Sequence, residues 1–195
     1  MYSKKAGVTM SVQTAGGTRE RALVVALDMF SRDGYDRVSM REIAEELGVT
    51  KAALYHHFTS KEEIARELVG GYLSAVDEIV TWARATQPSM DDVLARWSEL
   101  ARAQGLQVGK FMNANQRLIR ELGLVSGEGP RRGIDLVADA VLDPDASPQL
   151  KMQVRMALIA LHTASLASEG LPMDAEEVFR IARNVASDIV RNAQA

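Results

Sequence analysis

Apolar residues recur along this chain at the three- and four-residue spacing of an α-helix, and polar or glycine breaks divide them into segments. From Thr18 to Asp33, the residues Ala22, Val25, Ala26, Met29 and Phe30 share one face, and Gly34 supplies a stop. Ser39-Met40-Arg41-Glu42 has the form of a capping box, in which a serine hydroxyl satisfies an orphan amide and a glutamate reaches back. Met40, Ile43, Ala44 and Leu47 then make a single stripe that ends at Gly48 after barely two turns. Thr50 stands as the N-cap of the next helix, which turns Ala53, Leu54 and Phe58 inward. A second box, Ser60-Lys61-Glu62-Glu63, opens a helix whose apolar line runs Ile64, Leu68, Tyr72, Val76, Ile79 and Val80 to about Thr86, where Gln87-Pro88 breaks it. At 1.5 Å per residue that helix is about 39 Å long.

The rest of the chain repeats the grammar without repeating the sequence. Ser89 caps a helix carrying Val93, Leu94, Trp97 and Leu100 and ending near Gly105. The next holds Val108, Phe111, Met112, Asn115, Leu118, Ile119 and Leu122 up to Gly123. Pro130 suits the first turn of a helix with Ile134, Val137, Ala138 and Val141, and Asp143-Pro144-Asp145 is a turn. Ser147-Pro148 and Asp174-Ala175-Glu176-Glu177 open two final helices. No segment alternates apolar and polar residues long enough to argue a sheet. The reading is all-α with about nine helices: a mobile arm over 1–17, a three-helix domain over 18–63 and a helical bundle over 64–195.

Composition narrows the chemistry. With 47% hydrophobic residues and no cysteine, the chain can bury a core but cannot form disulfides or thiolate sites. It shows no run long enough for a membrane span and no secretory leader, so the cytoplasm is the expected compartment. The net charge of −3 is unevenly divided: residues 1–61 hold nine Lys and Arg against seven Asp and Glu, and residues 62–195 hold fourteen against nineteen. An anionic partner should therefore meet the first third.

Two short helices separated by a three-residue turn containing Gly48, after a longer supporting helix, outline a helix-turn-helix. Such a unit lays its second helix in the DNA major groove, where base edges carry a readable donor and acceptor code. With Leu54 and Phe58 inward, that helix presents Thr50, Lys51, Ala52, Tyr55 and His56 outward. Helix N-termini at Ser39, Thr50 and Lys61 favour phosphate, and Arg41 adds a charge beside the first of them. His57, next to inward Phe58, receives no base-reading role.

The runs Val38-Ser39-Met40-Arg41-Glu42-Ile43-Ala44, Leu47-Gly48-Val49-Thr50-Lys51-Ala52-Ala53-Leu54-Tyr55-His56-His57-Phe58 and Ser60-Lys61-Glu62-Glu63 resemble the DNA-binding domain of the TetR family of bacterial transcriptional regulators. The resemblance covers Thr18 to Ile64. It implies a homodimer on a pseudo-palindromic operator, with a ligand-binding helical domain behind it; most members are repressors released by a small molecule. It also implies that Thr50, Lys51, Tyr55 and His56 face DNA and that Lys61 falls where a phosphate contact is common. The family often has proline where this chain has Thr59.

In the bundle, Val154 to Ala167 is apolar nearly all round, with Val154, Leu158, Leu161 and Ser165 on one side and Met156, Ile159, Ala160 and Thr163 on another. The last helix likewise carries two lines: Val178, Ile181, Ala182, Val185 and Ile189, and beside them Phe179, Ala186 and Val190. One core cannot absorb every face, so Leu158, Leu161, Ser165, Val178, Ile181, Ala182, Val185 and Ile189 are the expected dimer surface. Trp97, Phe111, Met112 and Met156 are the expected apolar lining of an effector pocket, with Asn115 and His162 to orient the ligand. No cofactor or metal is expected.

An enzyme is disfavoured. A di-metal bundle needs Glu-x-x-His motifs, yet Ala53, Leu54 and Ile159 stand three residues before His56, His57 and His162. Gly127-Glu128-Gly129-Pro130-Arg131-Arg132-Gly133 lacks the preceding strand and the Lys-Ser/Thr of a phosphate loop. The remaining alternative is a DNA-binding regulator whose rear domain takes a protein partner in place of a small molecule.

Overall fold

A computed structural model describes residues 17–124 and 131–192, with backbone alone for residues 104–106, 131 and 132. It is all-helical, with no strand among the described residues. The elements are α1 (Thr18–Asp33), a tight turn at Tyr35–Arg37, α2 (Met40–Leu47), α3 (Lys51–His57), α4 (Lys61–Thr86), α5 (Met90–Leu100), a widened π-type turn at Ala101–Gly105, α6 (Leu106–Ala114), α7 (Gln116–Glu121), α8 (Arg131–Val141), α9 (Pro148–His162), α10 (Ala164–Ala167) and α11 (Ala175–Arg191). The expected arm over residues 1–16, Pro130 and most of the Gly127–Gly133 segment lie outside the described residues.

Eleven described helices stand where about nine were expected, because two of the expected helices are broken. At Asn115 the backbone turns to φ −120°, and the side-chain amide donates to the Phe111 carbonyl at 2.8 Å. Thr163, at φ −102°, donates its hydroxyl to the Ile159 carbonyl at 2.9 Å. Both are short polar side chains that compete for a carbonyl four residues back, an interaction known to bend helices.

The chain divides into two compact units, with the boundary between Lys61 and Glu62. In the first, α1 packs on α2 and α3, burying Ala22, Ala26, Leu27, Met29 and Phe30 of α1 against Met40, Ile43, Ala44 and Leu47 of α2 and Leu54 of α3. Ile43, Leu54 and Phe58 are wholly enclosed, each worth about 1.5–3 kcal/mol of transfer free energy. Gly48 takes a left-handed conformation (φ 73°, ψ 30°), and its amide and that of Val49 return to the end of α2. A side chain there would be strained, so the tight turn needs glycine.

In the second unit α9 and α11 pack side by side, α5 crosses both, and α8 lies on α9. The inward line of α9 is Val154, Ala157, Leu158 and Leu161, and that of α11 is Val178, Phe179, Ala186 and Val190. This corrects the expected dimer surface: Leu158 and Leu161 are wholly buried and Val178 nearly so, because α5 and the neighbouring helix occupy that side. The outward line is instead Met152, Met156, Ile159, Ile181 and Val185, all exposed large apolar residues. Met156, expected to line a pocket, belongs to this outer line, at 47% exposure.

Candidate functional site

The turn between α2 and α3 sets the outward face of α3. Ser39 and Glu42 close the capping box at the start of α2: the Glu42 amide donates to Ser39 Oγ at 3.3 Å, and the Ser39 amide and hydroxyl donate to the Glu42 carboxylate at 2.8 and 2.7 Å. Those bonds hold the Glu42 carboxyl below the usual carboxylate range. The Ser39 hydroxyl proton is thus committed within the cap. Thr50 Oγ1 accepts from the Ala53 amide at 3.1 Å, which leaves its own proton able to donate outward.

Thr50, Lys51, Ala52, Tyr55 and His56 are all exposed, on the side of α3 opposite wholly buried Leu54. Lys51 Nζ stands 5.4 Å from the centre of the Tyr55 ring, so a cation and an aromatic edge are presented together. Arg41, exposed on α2, pairs with Glu45 at 2.7 Å and must exchange that partner to meet a phosphate. Such an exchange is cheap, since an exposed ion pair contributes about 0–1 kcal/mol.

Lys61 departs from expectation. Its ammonium donates to the Tyr35 carbonyl at 2.7 Å and the Val38 carbonyl at 2.9 Å, and lies 4.1 Å from the centre of the Tyr35 ring. Two of its three protons are committed to closing the loop between α1 and α2. The residue is a tie within the first unit before it is anything else, and the sequence carries no sign of this because both acceptors are main-chain atoms.

Of the residues expected to line a pocket in the second unit, the structure brings Trp97 and His162 together, with ring centres 6.1 Å apart. The Trp97 indole donates to the Leu158 carbonyl at 3.0 Å. Phe111 and Met112 are buried on α6, whose Gly109 lies against the His162 imidazole. Asn115 is half-buried, and its side-chain amide donates to the Phe111 carbonyl of its own helix. Sequence reasoning missed Tyr72, whose buried ring stands with its centre 6.3 Å from that of His162. The signal was a single phenol within an otherwise aliphatic buried line, Ile64, Leu68, Tyr72, Val76. No group of three or more metal-ligating side chains occurs among the described residues, and no described helix is long and apolar enough to cross a membrane.

The first unit is a helix-turn-helix domain with an exposed second helix. Residues 22–68 match the family described as bacterial regulatory proteins, tetR family. The HTH-type transcriptional repressor KstR2 of Mycobacterium tuberculosis is 36% identical over 93 residues, 48% of this chain and 42% of that protein. Its namesake in Mycolicibacterium smegmatis is 24% identical over 172 residues, 82% of this chain and 84% of that one. The solved structure of the M. tuberculosis ketosteroid transcriptional regulator KstR2 aligns at a TM-score of 0.60 and 16% identity, covering 92% of this chain and 96% of the other. A transcriptional regulator from Aquifex aeolicus aligns at 0.56 and 17% identity, covering 89% and 99%. These structures share the fold. The first curated relatives are matched over 42% of their length or less. The family match thus rests on residues 22–68, the helix-turn-helix segment, and the curated relatives matched across it are named transcriptional repressors and regulators.

Proposed function

We propose that this protein is a sequence-specific DNA-binding transcriptional repressor that works as a homodimer on a pseudo-palindromic operator and is released by a small, largely apolar effector. The observation that carries the reading is the two-sidedness of α3: Leu54 is fully enclosed, while Thr50, Lys51, Ala52, Tyr55 and His56 lie open together. Small Ala52 lets the helix approach the groove, Lys51 and Arg41 supply charge to phosphates, and Thr50, Tyr55 and His56 offer hydrogen bonds and apolar edges to bases.

The dimer is supported by the outward line of α9 and α11. Ile159, Met156, Ile181 and Val185 are each about two-fifths to one-half exposed in the single chain, and an apolar groove is lined by Ile181 and Val185 together with Ala160, Ala164, Ala167 and Ala182. Contiguous exposed apolar surface of this kind marks an interface. Of the expected surface, Val178 and Ala182 line this groove, Ser165 is exposed and Ile189 half-buried, whereas Leu158 and Leu161 are enclosed.

The effector enters the interior of the second unit, beside Trp97, Phe111, Met112 and His162. α4 is one uninterrupted helix that starts at Lys61 and carries Tyr72 within the second unit, so a ligand that shifts it changes the spacing of two recognition helices. That spacing must be about one DNA turn, roughly 34 Å. Release requires the effector to favour the splayed dimer over the bound one, a coupling of about 1–3 kcal/mol in typical cases. Fluorescence anisotropy with duplexes selected from genomic fragments tests the reading. Saturable binding to one inverted repeat, lost in Tyr55→Ala with the dimer intact, is expected; equal binding to every duplex would refute it.

A further inference from the structure

The second unit keeps two interior polar atoms without a hydrogen-bonding partner, Tyr72 Oη and His162 Nδ1, on rings whose centres lie 6.3 Å apart. Tyr72 is 1% exposed. Its ring meets that of His162 edge-on, and the Trp97 ring centre lies 6.1 Å from that of the imidazole at an interplanar angle of 30°. Buried hydroxyls and ring nitrogens are almost always satisfied, because leaving one bare forfeits its hydration without return. Two such atoms on neighbouring rings point to a group that both are built to hold.

The backbone is drawn in around the same spot. A Cβ at Gly133 of α8 would come within 3.4 Å of Tyr72 Oη and 3.7 Å of the Trp97 ring. At Gly109 of α6 a Cβ would stand 2.7 Å from His162 Nε2. Glycine inside a helix costs stability relative to alanine, so two of them against one ring cluster have a packing reason.

The charge state of the pair is also fixed. Burial pushes the Tyr72 phenol up to about 12, so it remains a neutral donor. Burial holds the His162 imidazole below its ordinary value, so near neutral pH one ring nitrogen donates and the other accepts. Among the described residues no lysine or arginine side chain is fully buried, and burial is the one cause of the shift at both Tyr72 and His162, with no neighbouring charge acting on either.

We infer that the effector offers Tyr72 and His162 an uncharged oxygen, a hydroxyl or a carbonyl, on an otherwise apolar body whose ring or chain lies against Trp97. A hydroxyl accepts from Tyr72 Oη and donates to His162 Nδ1; a carbonyl accepts from both. A carboxylate at this point would be a buried unpaired charge. This rests on the reading that the second unit binds an effector, and it adds the chemical class.

Two measurements test it. In the ligand-free protein Tyr72→Phe removes a hydroxyl with no partner, so its Tm should rise by about 2–4 °C. In calorimetric titrations, β-naphthol should bind at least about tenfold more tightly than naphthalene or β-naphthoate, the equivalent of one hydrogen bond to a buried group. That advantage over naphthalene should vanish in Tyr72→Phe and again in His162→Leu. A lower Tm in Tyr72→Phe, no binding of β-naphthol, parity with naphthalene, or tighter binding of β-naphthoate would each overturn the inference. The effector reading fails separately. If β-naphthol binds through Tyr72 but leaves the DNA complex untouched, the pair stands and the effector role falls. If it releases DNA equally from wild type and Tyr72→Phe, the effector role stands and the pair falls.

Discussion

Lys51 and Lys61 are ten positions apart and chemically the same, yet their surroundings give them different work. Lys51 is exposed beside Tyr55, whereas Lys61 ties two main-chain carbonyls. Lys61→Ala should therefore act on stability: charged hydrogen bonds of this kind are worth about 1.5–3 kcal/mol together with their partners, and thermal melting of the protein should drop by several degrees. Lys51→Ala and Tyr55→Ala should leave melting nearly unchanged and weaken operator binding at least about tenfold, consistent with about 1–3 kcal/mol for a base or phosphate contact. Anisotropy and calorimetry on the same three variants separate the two roles. His162 adds a pH dependence. Its folded-state value lies below the ordinary 6.5, so the unfolded chain binds the proton first as the solution is acidified. The contribution of His162 to stability is complete above pH 6.5 and is lost as pH falls from there toward the lowered value. Melting curves from pH 7.5 to 5 should show a slope that is shallower in His162→Leu; identical slopes would argue that the imidazole is solvated.

The helices themselves were largely legible, for local reasons. Side-chain caps at Ser39, Thr50, Ser89, Ser147 and Asp174 all form as their residue types and spacing foretold. Each is a short-range contact written within four residues of sequence. Ser39→Ala should cost about 1 kcal/mol, read as a lower melting temperature with the exposed side chains of α3 untouched. What was not legible depends on neighbours distant in the chain. The lines on α9 containing Leu158 and Ile159 are equally apolar, and only the packing of α5, α8 and α11 around α9 decides that the first is core and the second is open. Tyr72 looked like one more core residue because its companion, His162, is ninety positions away. The breaks at Asn115 and Thr163 arise from a side chain capturing a carbonyl four residues back, an option every such residue has and few take. At this scale the outward line makes its own prediction. Ile181→Glu with Val185→Glu should convert the dimer to monomer in sedimentation velocity without loss of helicity, while Leu158→Ala, in the core, should lower stability by about 2–5 kcal/mol.

Across the whole chain, the uneven charge and the two compact units describe one division of labour. The first 61 residues are net basic and the remainder net acidic, so attraction to a polyanion is concentrated where the open face of α3 lies. Binding should weaken linearly in log K against log salt, with the slope reduced in Lys51→Ala because one fewer phosphate is neutralised. The acidic bundle should contribute to that slope only through holding two copies together. The most direct test of the central claim is a selection of bound duplexes from a random pool, read by sequencing and followed by anisotropy on the enriched site. The account predicts one inverted-repeat motif, with half-site centres about one turn (roughly 34 Å) apart, and loss of binding in Tyr55→Ala. No enriched motif, or a Tyr55→Ala protein that binds the enriched site as wild type does, would contradict it.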